Sequence, residues 1–304
     1  MKSIRQTWVW RAGKRFAADP VRRSISNLLR GDRIPLYWCP TQNWGDSLSP
    51  VLVSMISGKS ARYTVVGYCD RYVAIGSILG TANSRTTVWG SGFIIEGETV
   101  QEPPKAIHAV RGPLTRAALL KAGINCPEVY GDPALLLPRF FNPDVGKQFQ
   151  IGIIPHFLDK SHPWIQKHQN NPDVLIIDVQ GNIWEFVRAV KSCQVVLSSS
   201  LHGLICADAY GVSNVWIQLS DRVIGGNFKF YDYRLSIGAG EPFPIRVSTD
   251  TSLDAVAGMQ ELPELKIDLR KLLLACPFLS NKVQAAMESA KPTTCGLPDL
   301  LVTP

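Results

Sequence analysis

The residues best equipped for chemistry gather where a short apolar run gives way to polar residues and then to a helical pattern. The clearest case is Gln194 to Trp216, reading QVVLSSSLHGLICADAYGVSNVW. Val195 to Leu197 has the β-branched start of a buried strand, Ser198 to Ser200 break it, and Leu201-His202-Gly203 lead into a helical pattern through Tyr210. Gly211 stands where a helix C-terminal glycine is expected, and Asn214 to Ile217 reads as the next strand. In open parallel sheets, ligands bind beyond the carboxyl ends of strands. A helix start also offers N–H groups to a phosphate or carboxylate. The expected chemistry is an anion held by Ser199, Ser200 and the amides around Gly203. His202 beside it, with an ordinary pKa near ~6.5, can act as acid or base at neutral pH.

Other turns carry related residue types. Asn43-Trp44-Gly45-Asp46-Ser47 precedes an apolar-periodic helix, Leu48 to Ile56. There Gly45 allows a tight turn, while Asn43, Asp46 and Ser47 either cap the helix or meet a ligand. Arg111 falls between a strand, Ile107 to Val110, and a helix that Pro113 opens and Lys121 ends. Its guanidinium suits a bidentate clamp on carboxylate or phosphate; a surface ion pair is the plainer alternative. Gly76-Ser77 and Gly90-Ser91-Gly92 follow strands Tyr72–Ile75 and Thr87–Trp89, so backbone can approach a ligand at both. Neither is a GxGxxG run before a helix, and no dinucleotide cofactor is expected. His156 ends the strand Gln150–Ile154. His162 and His168 lie in a polar stretch, and His108 sits inside a strand. Gly225 to Tyr233, with Lys229 and Asp232 among aromatics, reads either as a loop closing over a sugar or as a packed connector.

Positioning these turns takes an alternation of strands and helices, the pattern of an α/β chain with parallel sheets. The chain has 304 residues, enough for two such domains. Pro138, Asn142, Pro143 and Gly146 mark a linker, which gives four segments. These are a basic lead over 1–33, a first domain over 34–140, a second over 150–265, and closing helices with a tail over 266–304. The composition is globular, with 45% hydrophobic and 19% charged residues. No apolar run approaches the roughly 18 residues needed to span a bilayer. No signal-peptide core opens the chain, and seven cysteines lack a CxxC pair, so a cytoplasmic location with reduced thiols is expected. Part of the net charge of +7 sits in the lead, where Lys2, Arg5, Arg11, Lys14, Arg15, Arg22, Arg23, Arg30 and Arg33 face Asp19 and Asp32, with Trp8, Trp10 and Phe16 between. That pattern suits peripheral contact with anionic headgroups at the inner face of a membrane, or equally a cap helix packed on the domain. No motif supports nucleic acid as a partner.

Six motifs in series resemble the polysaccharide pyruvyl transferases: NWGD at Asn43–Asp46, GSILG at Gly76–Gly80, WGSGF at Trp89–Phe93, VRGPLTR at Val110–Arg116, GDPALLLP at Gly131–Pro138 and SLHGLICADAYGV at Ser200–Val212. Together they cover roughly residues 34–235. The resemblance implies two Rossmann-like domains facing across a cleft in a GT-B-like arrangement. It also implies phosphoenolpyruvate as donor, a sugar diol of an exopolysaccharide or its lipid-linked repeat unit as acceptor, and a pyruvate ketal as product. No cofactor or metal is needed. Some members carry Arg-Leu-His where this chain has Ser200-Leu201-His202, and that arginine grips the donor. A cation from elsewhere must replace it, with Arg111 the first choice and Lys229 the second. On this reading His202 and Asp46 are catalytic. Arg111, Ser199, Ser200, Gly203 and Lys229 bind donor, while Asn43, Trp44, Ser77, Gly92 and His156 meet the acceptor. Two rivals stand beside it: a GT-B nucleotide-sugar glycosyltransferase, and a non-catalytic protein of polysaccharide assembly.

Overall fold

Ile34–Tyr37 (β1) opens a parallel sheet that Ala61–Tyr63 (β2), Arg71–Val73 (β3), Thr86–Trp89 (β4) and Ala106–Ala109 (β5) complete in the order β2-β1-β3-β4-β5. A second parallel sheet follows, built from Phe149–Ile154 (β6), Val174–Ile176 (β7), Cys193–Ser198 (β8), Ser213–Gln218 (β9) and Ile245–Arg246 (β10) in the order β10-β9-β8-β6-β7. These coordinates are a computed structural model that describes residues 33–289 except 42, 66–68, 241–242 and 263. The basic lead, apart from Arg33, and the residues beyond 289 lie outside the described residues. The chain is thus α/β, and its two five-stranded sheets are consistent with a two-domain Rossmann-like arrangement. β8 shows why such strands read as apolar runs: covered on both faces, Val195, Val196 and Leu197 are all buried.

The helices are Trp44–Ser57 (α1), Pro113–Lys121 (α2), Pro163–His168 (α3), Ile183–Lys191 (α4), Leu201–Ala209 (α5), Phe228–Ser236 (α6), Leu253–Ala257 (α7), Leu269–Leu274 (α8) and Asn281–Ser289 (α9). α1 starts at Trp44 rather than Leu48, because the Asn43 side chain accepts from Gly45 N–H and draws the polar turn into the helix. Gly45, Asp46 and Ser47 are therefore first-turn residues. α4 is capped by Asn182, whose side chain accepts from Trp184 and Glu185 N–H. Most of the aromatic stretch after Gly226 is helical as α6, so it is a packed connector and not a loop. His162 is a cap rather than a solvated side chain: it accepts from Trp164 N–H at the start of α3.

One apolar body runs through both sheets. Leu36, Trp44, Ala74 and Trp89 from the first half share it with Phe186, Val196, Trp216 and Leu272 from the second. Polar ties reinforce it, since Trp44 Nε1 donates to Ile183 O at 3.2 Å and Trp89 Nε1 to Leu272 O at 2.9 Å. The closing segment therefore folds back onto the first sheet. Among the described residues, no helix is long and apolar enough to cross a membrane.

Candidate active site

A cleft lies between the two sheets, at the carboxyl ends of their strands, where α/β proteins place ligands. From the first half it is lined by Cys39 after β1, by Asn43 and Asp46 at the start of α1, by Ser77 and Ile78 after β3, and by Ile94. The second half contributes His156 and Phe157 after β6, Ser200, Leu201 and His202 at the start of α5, Ile224, and Lys229 of α6.

His202 belongs to this lining. Its ring lies flat against the backbone of α1, so closely that a Cβ placed on Gly45 would fall 2.3 Å from Nε2. Only glycine admits the imidazole there; Gly45 is required by a close approach and not by a turn. Nδ1 stands 3.2 Å from Asn43 Oδ1, and the same oxygen accepts from Gly45 N–H at 3.4 Å. An amide oxygen can only accept, so Nδ1 carries the proton and Nε2 presents a lone pair. Among the described residues, the buried Nε2 has no hydrogen-bond partner. Burial first, then the charges of Lys229 and Arg111 and the neighbouring His156, push the His202 pKa down to about 3. The imidazole is neutral at pH 7, with its unpartnered nitrogen in a site built around it.

Asp46 Oδ2 accepts from Thr41 Oγ1 at 3.3 Å. Lys229, nine-tenths buried, donates to Ile224 O at 3.3 Å and is the lysine or arginine of the lining among the described residues. The Ser200 side chain caps no amide of α5, and its own N–H donates to Ser198 Oγ at 3.0 Å. The His156 imidazole stacks on Phe157 at 4.4 Å, and its backbone N–H donates to Ser199 Oγ.

Arg111 does not meet the expectation of a donor clamp. It is fully buried and every nitrogen is engaged: Nε with Asp232 Oδ2 at 3.0 Å, Nη1 with Ser77 Oγ at 2.6 Å, and Nη2 with Phe93 O at 2.6 Å. Asp232 in turn accepts from Thr115 N–H and Thr115 Oγ1 at 2.8 and 2.7 Å. The backbone approaches just as tightly, for a Cβ on Gly112 would lie 1.8 Å from Asp232 O. The Arg-Gly pair therefore docks α6 of the second half onto the first and holds Ser77 toward the cleft. The cation at the cleft itself is Lys229.

Four further residues sit elsewhere than expected. Trp44 is fully buried and stacked on Phe186 at 5.2 Å, a core residue with no face left for a sugar. Gly92 is closed off by the Arg111 guanidinium, 2.6 Å from where its Cβ would be. Ser199 lines a neighbouring cavity rather than the cleft. Gly203 packs on Ser198 and Ile154 and serves helix–strand contact. Asp232 and Thr115 were not singled out as site residues from sequence; a lone carboxylate within an aromatic run was the available signal.

Residues 102–221 match the family model described as polysaccharide pyruvyl transferase. The match spans β5 through β9 and so includes both strand-to-helix turns, at Arg111 and at His202. The succinoglycan biosynthesis protein ExoV of Rhizobium meliloti (strain 1021) is 27% identical over 238 residues, covering 73% of this chain and 70% of that protein. The uncharacterised protein L143 of Acanthamoeba polyphaga mimivirus is 27% identical over 206 residues, covering 65% of this chain and 71% of that protein. A crystal structure of a functionally uncharacterised Klebsiella pneumoniae protein aligns with a TM-score of 0.41 at 12% identity, over 76% of this chain and all of that one. The family and ExoV together support a transferase and polysaccharide pyruvylation in general.

Proposed function

We propose that the cleft transfers pyruvate from phosphoenolpyruvate to two hydroxyls of a sugar in an exopolysaccharide or its lipid-linked repeat unit, forming a pyruvate ketal. The observation that carries this reading is His202: a buried imidazole whose Nδ1 faces Asn43 Oδ1 and whose Nε2 has no partner among the described residues, in a lining shared with Asp46 and Lys229. Its two halves would then form a GT-B-like pair, with Lys229, Ser200 and the start of α5 receiving the donor's anionic groups. Asn43, Ser77 and His156 meet the reacting hydroxyls. The basic lead extends the proposal to a lipid-linked acceptor met at the inner face of a membrane.

The balance of the reaction suits these groups. A proton adds to C3 of the donor as one sugar hydroxyl attacks C2; the second hydroxyl then displaces phosphate. The diol loses two protons, one ending on C3 and one leaving with phosphate, and no electron is transferred. His202 is neutral because burial and the nearby cations oppose its charge. A donor carrying carboxylate and phosphate reverses that field and raises the imidazole's proton affinity as it binds. His202 is then protonated where it can deliver to C3, while Asp46 takes the hydroxyl proton. Positioned proton transfer of this kind is worth about 10²–10⁴ in rate.

His202→Gln is expected to lose at least about 10²-fold in phosphate release from phosphoenolpyruvate with acceptor present, at unchanged far-UV circular dichroism. Activity within a few-fold of the parent would refute the role given to this side chain. The nucleotide-sugar alternative gains nothing from Asp208, which is buried and held by Tyr233 Oη at 2.8 Å and Asn214 Nδ2 at 2.7 Å.

A further inference from the structure

A second cavity of about 380 Å³ adjoins the cleft, beyond the end of β9 and against the start of α6. Its wall includes Trp216, Gln218, Asp221, Arg222 and Asn227, and Ile224 belongs to both spaces. Ser199 lines the cavity and Ser200 the cleft, so consecutive residues of one turn separate the two. The volumes divide the work. The cleft encloses about 60 Å³, too little for a pyranose ring beside the donor, whereas the cavity falls within the roughly 300–1,000 Å³ of small-molecule pockets.

We infer that this cavity is the subsite for the acceptor's pyranose ring, a neutral hydroxyl-rich ligand, and that the cleft receives only its reacting edge. The inference rests on the transfer reaction proposed above. The lining fits such a ligand in two ways. Gln218 Nε2 donates to Asp221 Oδ1 at 2.7 Å, and the remaining valences of this pair, with the Asn227 amide, supply both donors and acceptors, as vicinal hydroxyls require. Trp216, buried and packed by Phe230 at 4.5 Å and by Tyr231 edge-on at 5.5 Å, adds an apolar edge to the wall rather than an open face. Charge argues against a nucleoside diphosphate. Arg222 is paired with the buried Asp159 at 3.0 Å, and the Asp221 carboxylate stands in the same wall. A diphosphate would meet about as much negative charge as positive. The expected acceptor set, in which His156 is the residue from the second half, is thereby extended: Asn43, Ser77 and His156 meet the hydroxyls, and the second half also holds the ring.

The test measures binding to the full chain by saturation-transfer NMR, with methyl β-D-glucopyranoside, methyl β-D-galactopyranoside, methyl α-D-mannopyranoside, UDP and phosphoenolpyruvate as separate probes. At least one glycoside is expected to bind the parent. Asn227→Trp, which fills the cavity, should weaken that glycoside at least tenfold. Gln218→Ala, which removes a hydrogen-bonding group, should weaken it several-fold. Both variants should bind phosphoenolpyruvate within twofold of the parent. Equal glycoside affinity in parent and Asn227→Trp, or no glycoside bound by the parent, would overturn the assignment. UDP binding that Asn227→Trp abolishes would overturn it in favour of a nucleotide. None of these readouts uses turnover, so a failure of the transfer reading at His202 is told apart from a failure here.

Discussion

Two strand-to-helix turns in this molecule carry a basic side chain at the same topological address, and they have opposite fates. After β5, Arg111 has a partner for every nitrogen and touches no solvent. After β8, His202 has one nitrogen fixed by Asn43 and the other without a partner. A guanidinium cannot shed its charge, so burying it requires a full set of acceptors, and Asp232, Ser77 and Phe93 supply them. An imidazole can be buried neutral, which leaves a nitrogen in reserve. Position at the end of a strand therefore nominates both residues; the state of their hydrogen bonds separates the one that builds the site from the one that works in it.

If that division is right, substitutions at the two turns fail in different ways. The largest effect is expected at His202, where Gln removes turnover and spares the fold, as set out above. Next comes Asp232→Ala, which strands a buried guanidinium. It should destabilise the protein by about 3–5 kcal/mol, visible as a melting temperature lower by roughly 10 °C. A shift of only a degree or two would mean that the Arg111 network does not hold the halves together. Smaller still is Lys229→Met, with an expected rise of about tenfold in KM for phosphoenolpyruvate and a lesser change in kcat. An unchanged KM would remove Lys229 from the donor site.

The smallest effect is a difference in acid stability. The folded-state pKa of His202 lies near 3, below the unfolded value of ~6.5. Between those values the unfolded chain binds the proton and the folded one does not, so stability falls as pH drops through that window. Asp132 and Asp208, both raised to about 6 by burial, act in the opposite sense. The comparison of parent with His202→Gln isolates the imidazole: the parent's melting temperature should fall more steeply between pH 6.5 and pH 4. Parallel curves would contradict the buried neutral histidine.

Much of the frame was legible in the sequence because it rests on local pattern. The α4 amphipathic run, Pro113 at a helix start, Gly211 after α5 and the βα rhythm are all set within a few residues. What the sequence did not disclose were partnerships between distant residues. Arg111 and Asp232 are 121 positions apart, and Trp44 bonds Ile183 at a separation of 139. From residue type alone, a tryptophan beside a glycine and an aspartate suits a sugar platform as well as a core. The choice was made by α4, whose Phe186 covers the ring. For the same reason the cation at the cleft was ranked second. Lys229 reaches it because α6 packs across both halves, and a stretch of aromatics can be read as a lid until its neighbours are known.

The central claim concerns the protonation of one side chain, and an NMR titration of the His202 imidazole tests it most directly. With ¹⁵N-histidine-labelled protein, and His202→Gln for assignment, the account predicts a neutral ring protonated at Nδ1 from neutral pH down to well below pH 6. Its pKa should rise when phosphoenolpyruvate is added. A ring that titrates near pH 6.5 in the empty protein, or one that does not respond to the donor, would contradict it.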